Sequence, residues 1–405
     1  MATLKRFFFH LILVSLGFLI LFNSLPIFAF ASTSGSNFQV AGWIPYWHDS
    51  EGIKDAKKNI KNIDMVFPFS FVVKEDGSLK DLADMESSEW TKFVKQAHGK
   101  KVKVVPTVMW SNADSIETNL SDGSLRKHHI DGIVAMVNDG GYDGVDIDYE
   151  GKRSATKDSF SAFLTELKVA LGSNKILACT IEARTPPESL YKTIPNPLLY
   201  SNDFKVIAKV CDTVEIMAYD QQRADLKNNA ERIGQPYVPV ADVAWVEKVL
   251  TLALVDIPAD KILLGIPTYG HHYEVTVSPG WYKEYRKVGA LNMPDMLDVA
   301  KEYRVKPVRN SAGEMGFSYI PKSSTLKFPS DLEILKNTPS GNKVAVQALA
   351  YANKTGETVK FNYASFTDVG AIEEKVALAK EYKLRGVALF KFDGEEDKRV
   401  WKILR

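Results

Sequence analysis

Tyr142-Asp143-Gly144-Val145-Asp146-Ile147-Asp148-Tyr149-Glu150 sets acidic and apolar side chains in strict alternation over its second half. In an extended strand, successive side chains point to opposite faces. Asp146, Asp148 and Glu150 therefore share one face, and Val145, Ile147 and Tyr149 the other. The apolar face suits packing against helices. The acidic face, once buried, costs several kcal/mol in lost hydration and mutual repulsion, which folding alone does not favour. The flanks are too apolar for a solvated edge strand. Such a cluster suits acid catalysis, because burial and neighbouring negative charge keep a carboxyl group protonated near neutral pH. Glu150, at the strand end, is the expected proton donor, with Asp148 raising its pKa. Residues two apart on a strand are about 6.6 Å apart, which does not separate inverting from retaining chemistry. A metal site is the competing reading, although carboxylate sites usually draw ligands from several elements.

Outward from this stretch, short apolar runs alternate with amphipathic segments. Strands are expected at 40–44, 65–71, 102–108, 145–149, 176–181, 213–218, 262–267 and 386–390, and helices at 157–171, 242–254 and 368–382. Eight such units fit an α/β fold, a closed (β/α)8 TIM barrel, with an open doubly wound sheet as the alternative. No glycine-rich phosphate fingerprint follows the first strand, so a nucleotide-binding sheet has no support. The spacing breaks after the seventh strand. The stretch 271–348, rich in Pro, Gly, Asn and aromatic residues, is read as a small α+β insertion between strands 7 and 8.

Composition is that of an ordinary folded enzyme. The 405 residues are 45% hydrophobic and 25% charged, and a net charge of +1 gives no reason to expect nucleic acid or an anionic membrane as partner. Lys5 and Arg6, the apolar run 7–22 and the small-residue site Ala29-Phe30-Ala31 have the layout of a secretory signal peptide over residues 1–31, with an uncleaved membrane anchor as the alternative. Residues 32–37 read as a linker and 38–405 as the catalytic domain. Cys179 and Cys211 are expected as buried free thiols, and a bridge requires their two strands to be neighbours.

Three motifs carry a resemblance to a known family. Asp143, Asp146, Asp148 and Glu150 match Asp-x-x-Asp-x-Asp-x-Glu, the signature of the chitinase-like family 18 glycoside hydrolases. Met217-Ala218-Tyr219-Asp220 resembles the family's sixth-strand segment, and Gly265-Ile266-Pro267-Thr268-Tyr269-Gly270 its seventh. The resemblance implies a barrel with a cleft-side α+β subdomain and a substrate-assisted retaining mechanism without metal or organic cofactor. Glu150 would protonate the glycosidic oxygen, and the sugar's own 2-acetamido oxygen would attack the anomeric carbon. Asp148 would orient the acetamido group and share a proton with Asp146. Tyr219 would bind the acetamido oxygen, and Asp220 would hold the distorted sugar. Asp143, out of phase, is expected to be structural.

Barrel active sites lie at the carboxyl ends of the strands. That rule places Tyr46, Trp47, Trp110, Glu182, Arg184, Met217, Tyr269 and Phe390 among the substrate-binding candidates. Trp47, Trp110, Trp281 and Tyr282 are the expected sugar-stacking faces, and Trp401 is expected to be structural. Two features depart from the family. Phe390 stands where a Trp usually lies beneath the reacting sugar, and Pro106-Thr107-Val108-Met109-Trp110 lacks the usual Ser-x-Gly-Gly. Residues 368–381, Gly394-Glu395-Glu396-Asp397 and Trp245-Val246-Glu247-Lys248-Val249 look more like bacterial cell-wall and spore-associated branches than fungal-type chitinases. The expected partner is an N-acetylglucosamine polysaccharide, peptidoglycan or chitin, acted on by a monomer. A chitinase-like lectin that binds without turnover is the second reading.

Overall fold

A computed structural model describes residues 38–231 and 235–404. The expectations for residues 1–37, a leader or anchor and a linker, fall outside the described residues. Among those described, no helix is long and apolar enough to cross a membrane.

Eight parallel strands form the barrel: β1 (Gln39–Pro45), β2 (Met65–Val73), β3 (Thr107–Trp110), β4 (Gly144–Tyr149), β5 (Ile176–Glu182), β6 (Thr213–Met217), β7 (Ile262–Pro267) and β8 (Gly386–Phe390). Each pairs with its successor, and β8 returns to β1 in the register Val40↔Val387, so the sheet closes. Closure satisfies every strand edge and rules out the open doubly wound alternative. The expected third strand, 102–108, is divided. Lys103–Val104 pairs with β2, the chain interrupts at Val105-Pro106, and pairing resumes at Thr107. Proline has no N–H to donate to the ladder, which accounts for the break.

Side-chain alternation sorts the strands into two layers. Val145, Ile147 and Tyr149 of β4 join the apolar layer between barrel and helices, as do Val214 and Ile216 of β6. The barrel interior holds Trp43, Phe67, Ala178, Leu263 and Ala388. The helix Lys157–Leu171 buries Phe160, Phe163, Leu164 and Leu167 at helical spacing. The helix Val369–Glu381 starts at Asp368, whose side chain accepts from the Ala371 N–H.

Cys179 on β5 and Cys211 just before β6 form a disulfide, contrary to the free thiols expected. The physical reason is strand neighbourhood: β5 and β6 pair with Ala178↔Thr213 and Cys179↔Val214, which sets the two cysteine Cα atoms 6.1 Å apart.

A second, antiparallel sheet follows β7 after one residue. Its order is Trp281–Asn292, Tyr269–Ser278, Val359–Phe366, Met315–Tyr319 and Val308–Arg309. The helix Ser340–Thr355 covers one part of it through Ala345, Ala348 and Ala352. The sheet continues to Phe366, beyond the end expected at 348, because the central strand Val359–Phe366 pairs on both sides.

Candidate active site

β4 delivers the acids. Asp146 and Asp148 point into the barrel and are buried, and Glu150 follows at the strand's carboxyl end, half-buried. Asp146 is held from three sides: Oδ2 accepts from Thr107 Oγ1 at 2.7 Å and Trp43 Nε1 at 3.1 Å, and Oδ1 accepts from Thr180 Oγ1 at 2.8 Å. Those donors come from β1, β3 and β5, so the barrel's register creates the site. Three hydrogen-bond donors thus hold Asp146, with the acids Asp148 and Glu215 close enough to feel its charge. Asp148 Oδ1 is buried with no hydrogen-bond partner. Asp146 and Asp148 lie close enough for the charge of one to raise the other.

The electrostatics favour protonated acids. Burial pushes Asp148 well above the usual carboxylate range, and the charges of Glu150 and then Asp146 add to this. Glu150 is raised by burial and then by Glu182, with Asp220 adding and Lys152 opposing. Glu182 on β5 thus adds to the mutual repulsion of Asp148 and Glu150, a neighbour the sequence reading did not single out. Deeper in the barrel, Glu215 is fully buried with neither oxygen partnered, and burial and Asp146 push it up to about 8.

β6 and β7 complete the pocket. Tyr219 is stacked on Phe390, with ring centres 5.7 Å apart. A side chain at Gly265 would lie 2.3 Å from the Ile216 carbonyl oxygen and 3.0 Å from the Tyr219 ring, so only glycine lets β7 pass there. Asp220 adopts φ 56° and accepts from Tyr269 Oη at 2.8 Å and from His271 Nε2. Burial raises the Asp220 pKa, but the hydrogen bond and charge of His271, with Tyr269, hold it below the usual range. Asp148, Glu150, Met217, Tyr219, Asp220, Tyr269 and Phe390 line one pocket of 160 Å³, together with Trp43, Phe69 and Thr180. Asp220, Tyr269 and Phe390 also line an adjoining cavity of 380 Å³, bounded by Trp47 and by His271, Lys287 and Asn292 of the second sheet. A larger cavity of 740 Å³, with Asp81, Asp84 and Glu86 in its lining, shares no residue with either.

Several expected sugar contacts lie elsewhere. Trp110 is buried and packs edge-on against His129 and Tyr149 in the layer behind β4. Its position follows from alternation: Thr107 faces the interior, so Trp110, three residues on, faces out. Tyr282 is buried in the second sheet with its hydroxyl on the Ala345 carbonyl, and Trp281 packs edge-on against it, 5.0 Å away. Arg184 lies 3.7 Å over the rings of both Tyr200 and Phe204 and donates to the Asn202 carbonyl, outside both cavities. Glu182 accepts from the Gly151 N–H at 2.8 Å and from Asn202 Nδ2 at 3.0 Å, which positions the loop after Glu150. Tyr46 supports Trp47 edge-on at 4.9 Å and lines neither cavity. As expected, Asp143 is structural, accepting from the Val104 N–H, Lys103 Nζ and His98 Nε2, and Trp401 packs on Phe392. Sequence reading missed Trp43, Thr107, Thr180, Lys152 and His271. The last of these directly follows the seventh-strand motif and shares its face with Tyr269.

A closed barrel with a carboxyl triad at the end of its fourth strand defines a class of glycosidases. The chain belongs to glycosyl hydrolases family 18, whose model matches residues 39–395. It is 23% identical over 325 residues, 78% of each chain, to the uncharacterized glycosylase YvbX of Bacillus subtilis. Among solved structures it resembles the spore cortex-lytic enzyme SleL of Bacillus megaterium, with a TM-score of 0.66 and 20% identity, covering 92% of this chain and 74% of that one. It also resembles a chitinase from Chromobacterium violaceum, with a TM-score of 0.66 and 18% identity, covering 91% of this chain and 98% of that one.

Proposed function

We propose that this glycosidase is a secreted, retaining hydrolase of β-1,4-linked N-acetylglucosamine polymers, acting by substrate-assisted catalysis, with peptidoglycan glycan strands as its preferred substrate. The observation that carries the reading is the unpartnered, buried Asp148 Oδ1 beside a proton-retaining Glu150 in one sugar-sized pocket. Strongly interacting acids titrate as a unit. An acetamido N–H arriving at Asp148 favours the ionised form of that group, so the proton stays on Glu150, where the leaving oxygen needs it. The acetamido oxygen then attacks the anomeric carbon, with the Tyr219 hydroxyl as its donor. Glu150, now a carboxylate, takes a proton from the water that opens the cyclised intermediate. Phe390 beneath the pocket offers an apolar face to the reacting ring.

The likeness of residues 368–381, Gly394-Glu395-Glu396-Asp397 and Trp245-Val246-Glu247-Lys248-Val249 to cell-wall and spore-associated branches supports the peptidoglycan strand over chitin. The deciding experiment incubates the protein separately with chitin oligomers and purified peptidoglycan and identifies products by mass spectrometry. Turnover of peptidoglycan to fragments with N-acetylglucosamine reducing ends is expected. Products from chitin alone would reverse the preference, and no products from either would favour the lectin. A thiazoline mimic of the cyclised intermediate should inhibit competitively. Full activity on substrates lacking the 2-acetamido group would remove the substrate-assisted route.

A further inference from the structure

Glu150 is followed by Gly151 at φ 65°, a left-handed turn that reverses the chain. Lys152 therefore runs back beneath the strand it has just left. Only 1% of its side chain is exposed. Its ammonium group donates to the carbonyl oxygen of Tyr149, stands 4.6 Å over the Phe160 ring and lies 3.7 Å from Glu182 Oε2. The other oxygen of Glu182 accepts from the Gly151 N–H. Residues 149, 151 and 152 are thus tied down on both sides of Glu150.

A buried ammonium group loses much of its hydration and is retained only where negative charge compensates it. Here burial lowers the Lys152 pKa, while Glu182, Asp148 and Glu150 push it back up. The acids around it form a crowd: Asp146 and Asp148 on β4, Glu150 after it, Glu182 on β5 and Asp220 after β6. His271 and Lys287 act on Asp220, whereas Lys152 is the cation that acts on both Asp148 and Glu150.

We propose that Lys152 is a positioning residue for the proton donor: sealed behind Glu150, it pins the end of β4 and sets the charge balance of the acid cluster. This rests on the reading of Glu150 as the proton donor. When Glu150 gives up its proton, the nearby ammonium group stabilises the carboxylate left behind. Without that cation, Glu150 would hold its proton too tightly to be a good acid.

The test is the pH dependence of kcat/KM on an aryl glycoside of an N-acetylglucosamine oligomer, for the wild type, Lys152→Met and Lys152→Arg. Removing the cation should lower the plateau of kcat/KM about three- to tenfold and move the alkaline limb, which reports loss of the Glu150 proton, upward by about one pH unit. Lys152→Arg should keep the limb near its wild-type place. A lowered profile for Lys152→Met with unmoved limbs, or an equal shift in Lys152→Arg, would overturn the proposal and leave a purely structural lysine. If Lys152→Met does not fold, Lys152→Gln serves instead. It removes the same positive charge but keeps a polar tip for the Tyr149 carbonyl, and an unmoved alkaline limb there also overturns the proposal. Retained activity in Glu150→Gln would instead count against the proton-donor reading itself, so the two failures are distinguishable.

Discussion

The floor of the acid-lined pocket and the wall of the adjoining cavity are built differently. The floor comes from parallel barrel strands in which Asp146 is gripped by hydroxyl and indole groups from β1, β3 and β5. The wall comes from the antiparallel strands Tyr269–Ser278 and Trp281–Asn292, whose pairing slips register between His272 and Tyr273 and again between Thr276 and Val277. Side chains on the floor interlock through several strands, so moving one disturbs the rest. The wall strand Trp281–Asn292 is mostly exposed or half-buried and lies at the edge of its sheet. Changing it costs little elsewhere. In this molecule the acid cluster sits on the part that cannot easily change, and the adjoining cavity is walled by the part that can.

Substitutions should separate the two parts. On the floor, Glu150→Gln is expected to lower kcat by about a thousandfold, with oligosaccharide affinity by calorimetry nearly unchanged. A large loss of affinity would mean that the floor also does the binding. Behind the floor, Trp110→Ala should cost about 3–5 kcal/mol of stability in denaturant unfolding while leaving KM alone. A raised KM in a stable protein would return Trp110 to the cleft. Phe390 belongs to both cavities. Phe390→Ala should raise KM about tenfold, the loss of roughly 1.4 kcal/mol of ring contact. Trp47, 47% exposed at the rim, should matter least. Trp47→Ala is expected to raise KM about threefold, on the scale of a rim contact, with no change in melting temperature. An effect larger than that of Phe390→Ala would place the main sugar platform at the rim.

The same contrast explains what could be read from sequence. The eight strands and the acidic face of β4 follow from a period of two, which a single chain displays directly. That Thr107 and Trp110 face opposite ways was legible, since they are an odd number of residues apart, but which of them faces the interior was not. The grip of Trp43 and Thr180 on Asp146 depends on register between strands more than thirty residues apart, and no local pattern encodes register. Lys152 shows another limit. A lysine two residues beyond the proposed proton donor reads as a solvated loop residue until the turn at Gly151 is known to fold it inward. The second sheet was legible as an interruption in spacing but not in extent, because Val359–Phe366 resembles any apolar strand until its two partners are seen.

The Cys179–Cys211 bridge staples neighbouring barrel staves across a sequence separation of 32 residues. By chain-entropy reasoning, a loop of that size contributes about 3–4 kcal/mol by restricting the unfolded chain. Both sulfur-bearing residues are buried, so an external thiol can attack only after the barrel has opened around them. The staple and the barrel therefore shelter one another: an intact molecule carried into reducing surroundings keeps its bond, and one that has opened and lost it refolds to a weaker protein.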